Sequence, residues 1–445
     1  MVNIIQSSQN NELLDQYKND LAIAELNTDE HAIITAHADI GLTLFRAREY
    51  EDGLAHFDFA ISQAEKNQDL EMKIQCLGKK SLAFQEINRL HDAYTVVNEI
   101  LKIAEELNDA GIKCDAITSQ GQILLDSGDP NQALEKLDDA RKLANEISDK
   151  RRLMNVYGVM GNLNIALASL DNAEVYFDKA VQLAEELGDQ QARIGYLGNK
   201  GSVLVWQGKF SEAIPEFEKV LDFVRRIGDQ TVEIQTLRHL SQAHCNLKED
   251  EKAMEYANQG LALCKEISDQ TVFSFYETQI QIYSRQGQPQ TAQQINQEAA
   301  EYARVLNNKS KEFEFLLSQG ESHLVAEAHA DALIAYERAH LIAQELNRKT
   351  DEAYLTGRIG VVLAETGKLD EAINYHLQAV SLARLLLIPN LEGEQLTMLL
   401  MAYLEKGEIL EARKYGNAAL QIYSEAGLQV EIDKVKQLLQ KVNNS

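Results

Sequence analysis

The chain has 445 residues, of which 45% are hydrophobic and 25% are charged. This length exceeds what one compact core normally holds, so we expect either several domains or an array of repeats. The formal net charge of -26 argues against nucleic acid and anionic membrane surfaces as partners, because both repel a strongly acidic protein.

Helix breakers and cysteines are scarce. The four prolines suit a chain of helices joined by short turns. The four cysteines form no C-x-x-C pair and are too few for a disulfide scaffold, which favours a reducing compartment. No basic segment followed by an apolar core opens the sequence, and no window approaches the ~18 apolar residues of a membrane span. We therefore expect a soluble, cytoplasmic protein.

In chain order, the first predicted element is a helix from about Asn10 to Leu26, and we expect residues 1–28 to cap the first repeat. Residues 29–427 repeat with a period of about forty, which predicts ten similar units. A last helix within residues 428–445 is expected to close the array. Each unit is marked by an alanine or, once, a glycine: Gly53, Ala93, Ala133, Ala173, Ala213, Ala253, Ala292, Ala332, Ala372 and Ala412.

A second position, twelve residues before each marker, is mostly small, and we call it the reference residue of its repeat. Gly201 is the example in repeat five, where we predict a helix ending near Gln207 and a second helix beginning near Ser211. Small residues at these positions let helices approach closely. Ile280 and Leu400 replace the small residue in repeats seven and ten, so we expect looser packing there.

An aspartate recurs every forty residues between the units, and it is suited to cap the next helix. The glycine before it, as in Gly188 and Gly228, can take the left-handed conformation that ends the preceding helix. The capping residues are Asp69, Asp109, Asp149, Asp189, Asp229 and Asp269.

The spacing of these residues resembles the tetratricopeptide repeat. Repeat five offers the signature set Leu197, Leu204, Ala213, Phe217 and Val220, and repeat four offers Tyr157, Gly161, Ala173, Phe177 and Ala180. The forty-residue length is similar to the branch found in G-protein signalling modulators and kinesin light chains. This resemblance implies an all-α, right-handed superhelical α-solenoid of about ten helix-turn-helix repeats with terminal capping helices.

Signatures of catalysis and cofactor binding are missing from the sequence. No G-x-x-x-x-G-K-[ST] loop occurs, and no two histidines are spaced as zinc ligands on a helix. His244 and His323 occupy a large core position of the repeat, where a structural role is expected. We predict no catalytic residue, no metal and no cofactor, and therefore no enzyme.

The resemblance also implies where a partner binds, because the first helix of each repeat lines the concave face in this family. The implied groove positions lie six and three residues before the reference residue, and one, four and five residues after it. They hold three bases, Arg46, Arg238 and Arg285, against nine acids, which predicts an acidic groove. The acids are Glu86, Asp115, Asp126, Glu277, Glu314, Glu321, Glu365, Glu394 and Glu405.

The central repeats carry amides instead of acids, and amides can bond the main chain of an extended peptide. Trp206 is a candidate apolar anchor, although packing against a neighbouring helix is an alternative because tryptophan is usually well buried. The predicted peptide-binding residues are Asn155, Asn162, Asn199, Ser202, Trp206, Gln235, Arg238, Gln242 and Asn246, with Glu86 and Asp126. Small residues three before the reference residue, such as Gly78, Gly158, Gly198 and Gly357, indicate either an open groove floor or close helix packing.

Three functions fit these features. The first is a non-enzymatic scaffold or adaptor that binds a peptide or helix of a protein partner, basic or polar in character. The second is a regulatory sensor whose superhelix changes when a small peptide or metabolite binds. The third is a self-associating assembly component, suggested by the leucine-rich segment 382–388, although burial in the core explains that segment as well.

Overall fold

The computed structural model describes the backbone of residues 2–444 and the side chains of residues 13–440. Within this part of the chain all regular structure is α-helical, in 22 helices joined by short turns. The helices are α1 Val2–Leu26, α2 Glu30–Arg46, α3 Tyr50–Lys66, α4 Leu70–Glu86, α5 Leu90–Glu106, α6 Ala110–Asp126, α7 Pro130–Glu146, α8 Lys150–Ala166, α9 Leu170–Leu187, α10 Gln190–Trp206, α11 Phe210–Ile227, α12 Gln230–Asn246, α13 Asp250–Ile267, α14 Val272–Arg285, α15 Pro289–Val305, α16 Lys309–Val325, α17 His329–Glu345, α18 Lys349–Glu365, α19 Leu369–Leu385, α20 Pro389–Glu405, α21 Ile409–Glu425 and α22 Gln429–Asn444.

The helices alternate in their role within the repeat. The even-numbered helices α2 to α20 carry the reference residues and are called first helices, while the odd-numbered helices α3 to α21 carry the alanine markers and are called second helices. The chain divides into two compact units, Met1–Thr271 and Val272–Ser445, which are described separately. In each unit the helices pack mainly against the next helix and the next but one.

The turns between helices share one design. Each of the 21 linkers contains one residue with positive φ, which is a glycine in eight linkers and another residue in thirteen. Gly188 and Gly228 have φ of 69° and 75°, as the sequence predicts. Ala168 and Leu387 adopt the same left-handed conformation with φ of 55° and 57°, although a Cβ makes that conformation costly.

The aspartates predicted to cap helices do so in five of the six cases. The Asp69, Asp109, Asp149, Asp189 and Asp229 side chains each accept a hydrogen bond from the backbone N–H three residues later. Asp269 instead accepts from the backbone N–H of Thr271 at 2.6 Å, in the turn before α14. The prediction that these aspartates cap the next helix is therefore confirmed for five of the six.

The repeated small residues form the core between paired helices, as predicted. Every alanine marker is buried. A Cβ on Gly201 would lie 2.8 Å from the Phe217 ring, and a Cβ on Gly161 would lie 2.6 Å from the Phe177 ring. The aromatic residue of the second helix thus fills the space that the missing side chain of the first helix leaves.

The expectation of loose packing is wrong for repeat ten. Leu400 is fully buried, and the residue sixteen positions later, where five of the other nine repeats carry an aromatic ring, is Gly416. A Cβ on Gly416 would lie 3.2 Å from Leu400 Cδ2, so the two positions have exchanged large and small residues. Repeat seven differs: Ile280 is half-buried, and a cavity opens beside α15.

Candidate functional site

Successive first helices of unit 1 meet side by side through residues that lie about one repeat apart. The Arg46 guanidinium on α2 donates to Glu86 on α4, with Nη2 to Oε1 at 2.6 Å. Lys79 Nζ donates to Asp39 Oδ1 across the same pair of helices at 2.5 Å. The first helices therefore form one continuous layer, and the sequence-predicted binding residues all lie on it.

The predicted residues are mostly exposed on this layer. Asn155 and Asn162 lie on α8, Asn199, Ser202 and Trp206 on α10, and the remaining central residues on α12, while Glu86 and Asp126 end α4 and α6. Of the eleven, Ser202 on α10 and Arg238 and Gln242 on α12 are half-buried, and the other eight are exposed. The side chains of Asn155, Asn162 and Asn199 make no hydrogen bond within the described part of the chain, so their amides are available to a partner.

The open face of α10 is the centre of this surface. A Cβ added to Gly195 or Gly198 would meet no atom within 4 Å, so the backbone of α10 is uncovered there. Ser202 and Trp206 continue the same face one and two turns further along the helix, because residues three and four apart lie on one side of a helix. A partner can therefore approach the α10 backbone closely between the two glycines and the indole.

Trp206 is 57% exposed, and the alternative that it packs into a neighbouring helix is wrong. It is the last residue of α10, and the same repeat position is occupied by Ala166 on α8 and Asn246 on α12, which are both exposed. Small or polar residues therefore occupy this position on both neighbouring first helices. An exposed tryptophan beside amides is typical of binding surfaces, where this residue type is enriched.

The small residues three positions before the reference residue fall into two groups. Gly158 and Gly357 are packing positions, because a Cβ there would lie 2.5 Å from the Tyr196 ring and 2.6 Å from Gln395. Gly78 and Gly198 face open space. Close helix packing therefore explains the small residue in the repeats of Gly158 and Gly357. An open surface explains it in the repeats of Gly78 and Gly198.

Arg238 supplies the charge of the central surface. Its Nε donates to Gln235 Oε1 at 3.1 Å, and its Nη2 lies 2.9 Å from His239 Nε2. No carboxylate pairs with the guanidinium within the described part of the chain, and burial lowers the pKa of Arg238. Burial and the neighbouring Arg238 lower the pKa of His239 to about 4, so this ring is neutral and can accept from the guanidinium.

The His239 ring also fixes the position of Arg238. It stacks on the Phe217 ring with centroids 4.8 Å apart and an interplanar angle of 3°. Gln235 is held in turn, since its Nε2 donates to Thr271 Oγ1 at 3.1 Å. Arg238 is thus an oriented cation whose present partners are all neutral, and a carboxylate is the group that it lacks.

The predicted excess of acid is smaller than the groove positions alone indicate. Five of the nine acids pair with a lysine or arginine: Glu86 with Arg46, Asp115 with Arg152, Glu277 and Glu314 with Lys311, and Glu321 with Arg358. Four of these pairs use a base outside the groove positions that we counted. The charges therefore do not favour a basic partner over a neutral or polar one.

The cysteines and His244 are buried in the helical core, where their surroundings indicate a structural role. All four cysteines are buried and free, and burial raises the pKa of Cys76 to about 11. His244 is 1% exposed, and its Nδ1 lies 2.6 Å from Glu249 Oε2, which fits its predicted structural role. In the described part of the chain no cluster of three or more His, Cys, Asp or Glu side chains has a metal-binding arrangement. None of the helices described is both long and apolar enough to cross a membrane.

The alternation of first and second helices defines an all-α helical repeat protein of the solenoid class. Residues 155–187 and 192–266 match two family models described as tetratricopeptide repeat. The matched residues, in the middle of the chain, therefore form tetratricopeptide repeats. Those matched residues include α10 and α12, which carry the open glycine face, Trp206 and Arg238.

Two solved structures of low sequence identity are similar to this chain. A signal transduction ATPase with numerous domains (STAND) protein with a tetratricopeptide repeat sensor, from Pyrococcus horikoshii, has a TM-score of 0.54 at 18% identity. The match covers 81% of this chain and 55% of that chain, so this chain spans about half of that protein. The apo form of the quorum sensor NprR from B. thuringiensis has a TM-score of 0.47 at 13% identity, over 78% of this chain and 98% of that chain. The comparison with curated proteins gave no match.

Proposed function

We propose that this protein is a non-enzymatic scaffold that binds a polypeptide segment of a protein partner on the first-helix layer of unit 1, across α8, α10 and α12. The observation that carries the proposal is Arg238, an oriented and partly buried cation without a carboxylate partner, on the same surface as the exposed Trp206. In a chain of net charge -26, an unpaired arginine on an open surface indicates a ligand with a negative group.

The partner that fits this surface is an extended segment with three features. A carboxylate pairs with Arg238, main-chain amides bond Asn155, Asn162 and Asn199, and an apolar or aromatic side chain packs on Trp206. The open backbone at Gly195 and Gly198 allows the segment to lie close to α10. The sequence predicts a partner that is basic or polar. The partner proposed here is polar, and it carries a carboxylate at its centre instead of basic residues.

The single tryptophan of the chain makes the test direct, because fluorescence excited at the indole reports only from Trp206. Affinity capture from the native cell with mass spectrometry identifies a partner, and overlapping peptides of that partner are then titrated. Binding over the indole should shift its emission to shorter wavelength. Arg238→Gln removes a charge-assisted contact of about 1.5–3 kcal/mol, so the Kd should rise about 10- to 100-fold.

The matched control is Arg226→Gln, which makes the same change of charge on the second helix α11, where the side chain of Arg226 is 69% exposed and pairs with Asp222. It should leave the Kd unchanged. If the double variant Trp206→Ala, Arg238→Gln captures the same partners in the same amounts as the wild type, the α8–α12 surface is not the binding site and the proposal fails.

A regulatory sensor is the second candidate, and the similarity in fold to the STAND protein with a tetratricopeptide repeat sensor supports it. A peptide or metabolite that changes the arrangement of the helices should change the radius of gyration in small-angle scattering. An unchanged radius at saturating ligand argues for a passive scaffold instead.

Self-association is the third candidate, and it rests on the end of α19. Leu382, Leu386 and Ile388 pack beside the buried Ala353, Ala383 and Leu391, as core burial predicts. Leu385 and Leu387 are 77% and 86% exposed, so burial in the core is the wrong explanation for these two. Light scattering across a dilution series distinguishes a monomer from a dimer, and the double variant Leu385→Ser, Leu387→Ser should remove any dimer that uses this edge.

A further inference from the structure

A cavity of about 510 Å³ lies within unit 2, between the second helices α15 and α17, with the first helix α16 as its floor. Four glutamines of α15 form one wall, and Leu316, Gln319 and His323 line the floor. Its volume falls within the range of roughly 300–1,000 Å³ that is usual for small-ligand sites. The cavity lies at repeat seven, where the sequence predicts loose packing.

The cavity exists because repeat seven departs from the other repeats at the residue after its alanine marker. Gln293 stands there, where seven of the other nine repeats carry a large apolar residue. Those residues are Leu54, Tyr94, Leu134, Ile214, Met254, Leu333 and Ile373. In place of apolar packing, Gln293 Nε2 lies 2.7 Å from His323 Nδ1, and the side chain stays at the wall.

Gln319 on the cavity floor is a buried amide whose nitrogen is unpaired. The side chain is 8% exposed, and its Nε2 has no hydrogen-bond partner. Leaving a buried donor unpaired costs about 1–3 kcal/mol, so such groups are rare unless they serve a ligand or water. Five other repeats place an apolar residue at this position: Ile40, Met160, Leu240, Ile359 and Leu399.

The repeats also show which residue should pair with Gln319. In three other repeats, a polar residue at this position bonds the residue 22 positions earlier, on the preceding second helix. The pairs are Lys80 with Asp58 at 2.8 Å, Gln120 with Asn98 at 2.7 Å and Lys200 with Asp178 at 2.7 Å. The corresponding partner of Gln319 is Gln297, which lines the same cavity and makes no bond to it. The side-chain amides of Gln297 and Gln319 therefore both line the cavity and make no hydrogen bond to each other.

The one arginine at the cavity is already neutralised. Arg338 lies in the wall, but its Nε and Nη2 both donate to Glu312 Oε1, at 2.9 and 2.6 Å. Asp331 is the other ionised lining residue. The site therefore offers neutral donors and acceptors beside the apolar side chain of Leu316, and gives an anionic ligand no unpaired cation.

We propose that this cavity is a ligand site, separate from the α8–α12 surface, for a small uncharged ligand that contains amide groups, such as a short peptide segment. An amide presents a donor and an acceptor side by side, which is the arrangement that bridges Gln297 and Gln319. A small apolar side chain of the ligand packs on Leu316. The proposal does not depend on the function proposed for unit 1.

The test uses the full chain and a defined probe, the capped dipeptide N-acetyl-Ala-Ala-amide, with binding measured by saturation-transfer NMR. A probe of similar size that carries a negative charge, N-acetyl-Ala-Asp-amide, should bind at least tenfold more weakly, and so should glucose, which has hydroxyls but no amide. Gln319→Leu places a residue common at this repeat position and should reduce dipeptide binding at least tenfold while the protein stays folded.

Gln293→Leu is the second variant and should have the same effect, because it also restores the common repeat residue. Gln378→Leu, on α19 outside the cavity, should bind the dipeptide as the wild type does. The dipeptide should leave the Trp206 emission unchanged, which separates this site from the α8–α12 surface. No binding to the wild type, equal binding to Gln319→Leu, or equal binding of glucose would overturn the proposal.

Discussion

Gly195 and Gly198 give a prediction in which stability and binding move in opposite directions. Both lie inside α10, where glycine costs roughly 0.5–1 kcal/mol relative to alanine. A Cβ at either position meets nothing within 4 Å, so alanine adds no clash. The double variant Gly195→Ala, Gly198→Ala should therefore be more stable than the wild type by about 1–2 kcal/mol.

The matched control lies on the same helix. Gly201→Ala gains the same helix propensity but places a Cβ 2.8 Å from the Phe217 ring. Overpacking of a core costs about 1–3 kcal/mol, which offsets or exceeds the gain of one site, so Gly201→Ala should be less stable than the double variant by about 1–4 kcal/mol.

Urea unfolding monitored by Trp206 emission measures this difference, because the indole reports on α10 itself. Repeat arrays need not unfold in one step, so a probe inside the altered helix is preferable to a global signal. The same double variant should bind the partner of the α8–α12 surface more weakly, since two methyl groups now cover the open backbone. A destabilised double variant would refute the open face, and unchanged binding would show that the partner does not approach α10 at the glycines.

Three further predictions concern the turns and the titrating groups. Ala168→Gly should raise the free energy of unfolding by about 1 kcal/mol, because φ of 55° is strained for alanine, while Ala166→Gly inside α8 should lower it, as urea midpoints will show. The backbone N–H and guanidinium of Arg152 lower the pKa of Asp149 below 3.8 in the folded state. The stability that this cap contributes is therefore present above pH 3.8 and is lost as the pH falls through the folded-state pKa. Thermal melts between about pH 5 and 2 should show that Asp149→Asn lacks this part of the acid dependence. Burial lowers the pKa of His239 to about 4 from 6.5, so the unfolded state binds the proton first and stability should fall between pH 6.5 and 4, a slope that His239→Gln should reduce.

The repeat architecture could be predicted because it is a packing pattern with a fixed period. The buried alanine markers and the capping aspartates are evident from spacing alone, since each needs only its own helix or turn to be explained. An exchange of a large and a small residue between two packed positions is harder to predict. In the sequence, Leu400 alone predicts a disrupted core, whereas in the structure it packs beside Gly416, sixteen residues away. The left-handed Ala168 and Leu387 also escape prediction, because the tertiary packing of two helices imposes a turn that the local sequence does not favour.

The position of the candidate surface could be predicted from the sequence, but its net charge could not. Family position placed the amides of α8 and α10 on the first-helix layer, and the structure leaves them unpaired there. The pairing of Asp115 with Arg152 and of Glu321 with Arg358 joins residues 37 positions apart, on neighbouring first helices, and one member of each pair lies outside the groove positions. Counting charges at the groove positions therefore overstated the acidity of the surface. It also could not show that Arg238 has no carboxylate partner.

The uniform linkers have a consequence for how this chain tolerates insertion and deletion. A left-handed residue stands in every linker, about twenty positions after the last, so one helix and one turn form a single module. Removing about forty residues takes out two modules and returns each remaining helix to the layer for which its side chains are suited. Removing about twenty would turn every later first helix into a second helix, and Gly201 would then stand where the buried Val181 stands now. Length variation in this protein should therefore come in whole pairs of modules.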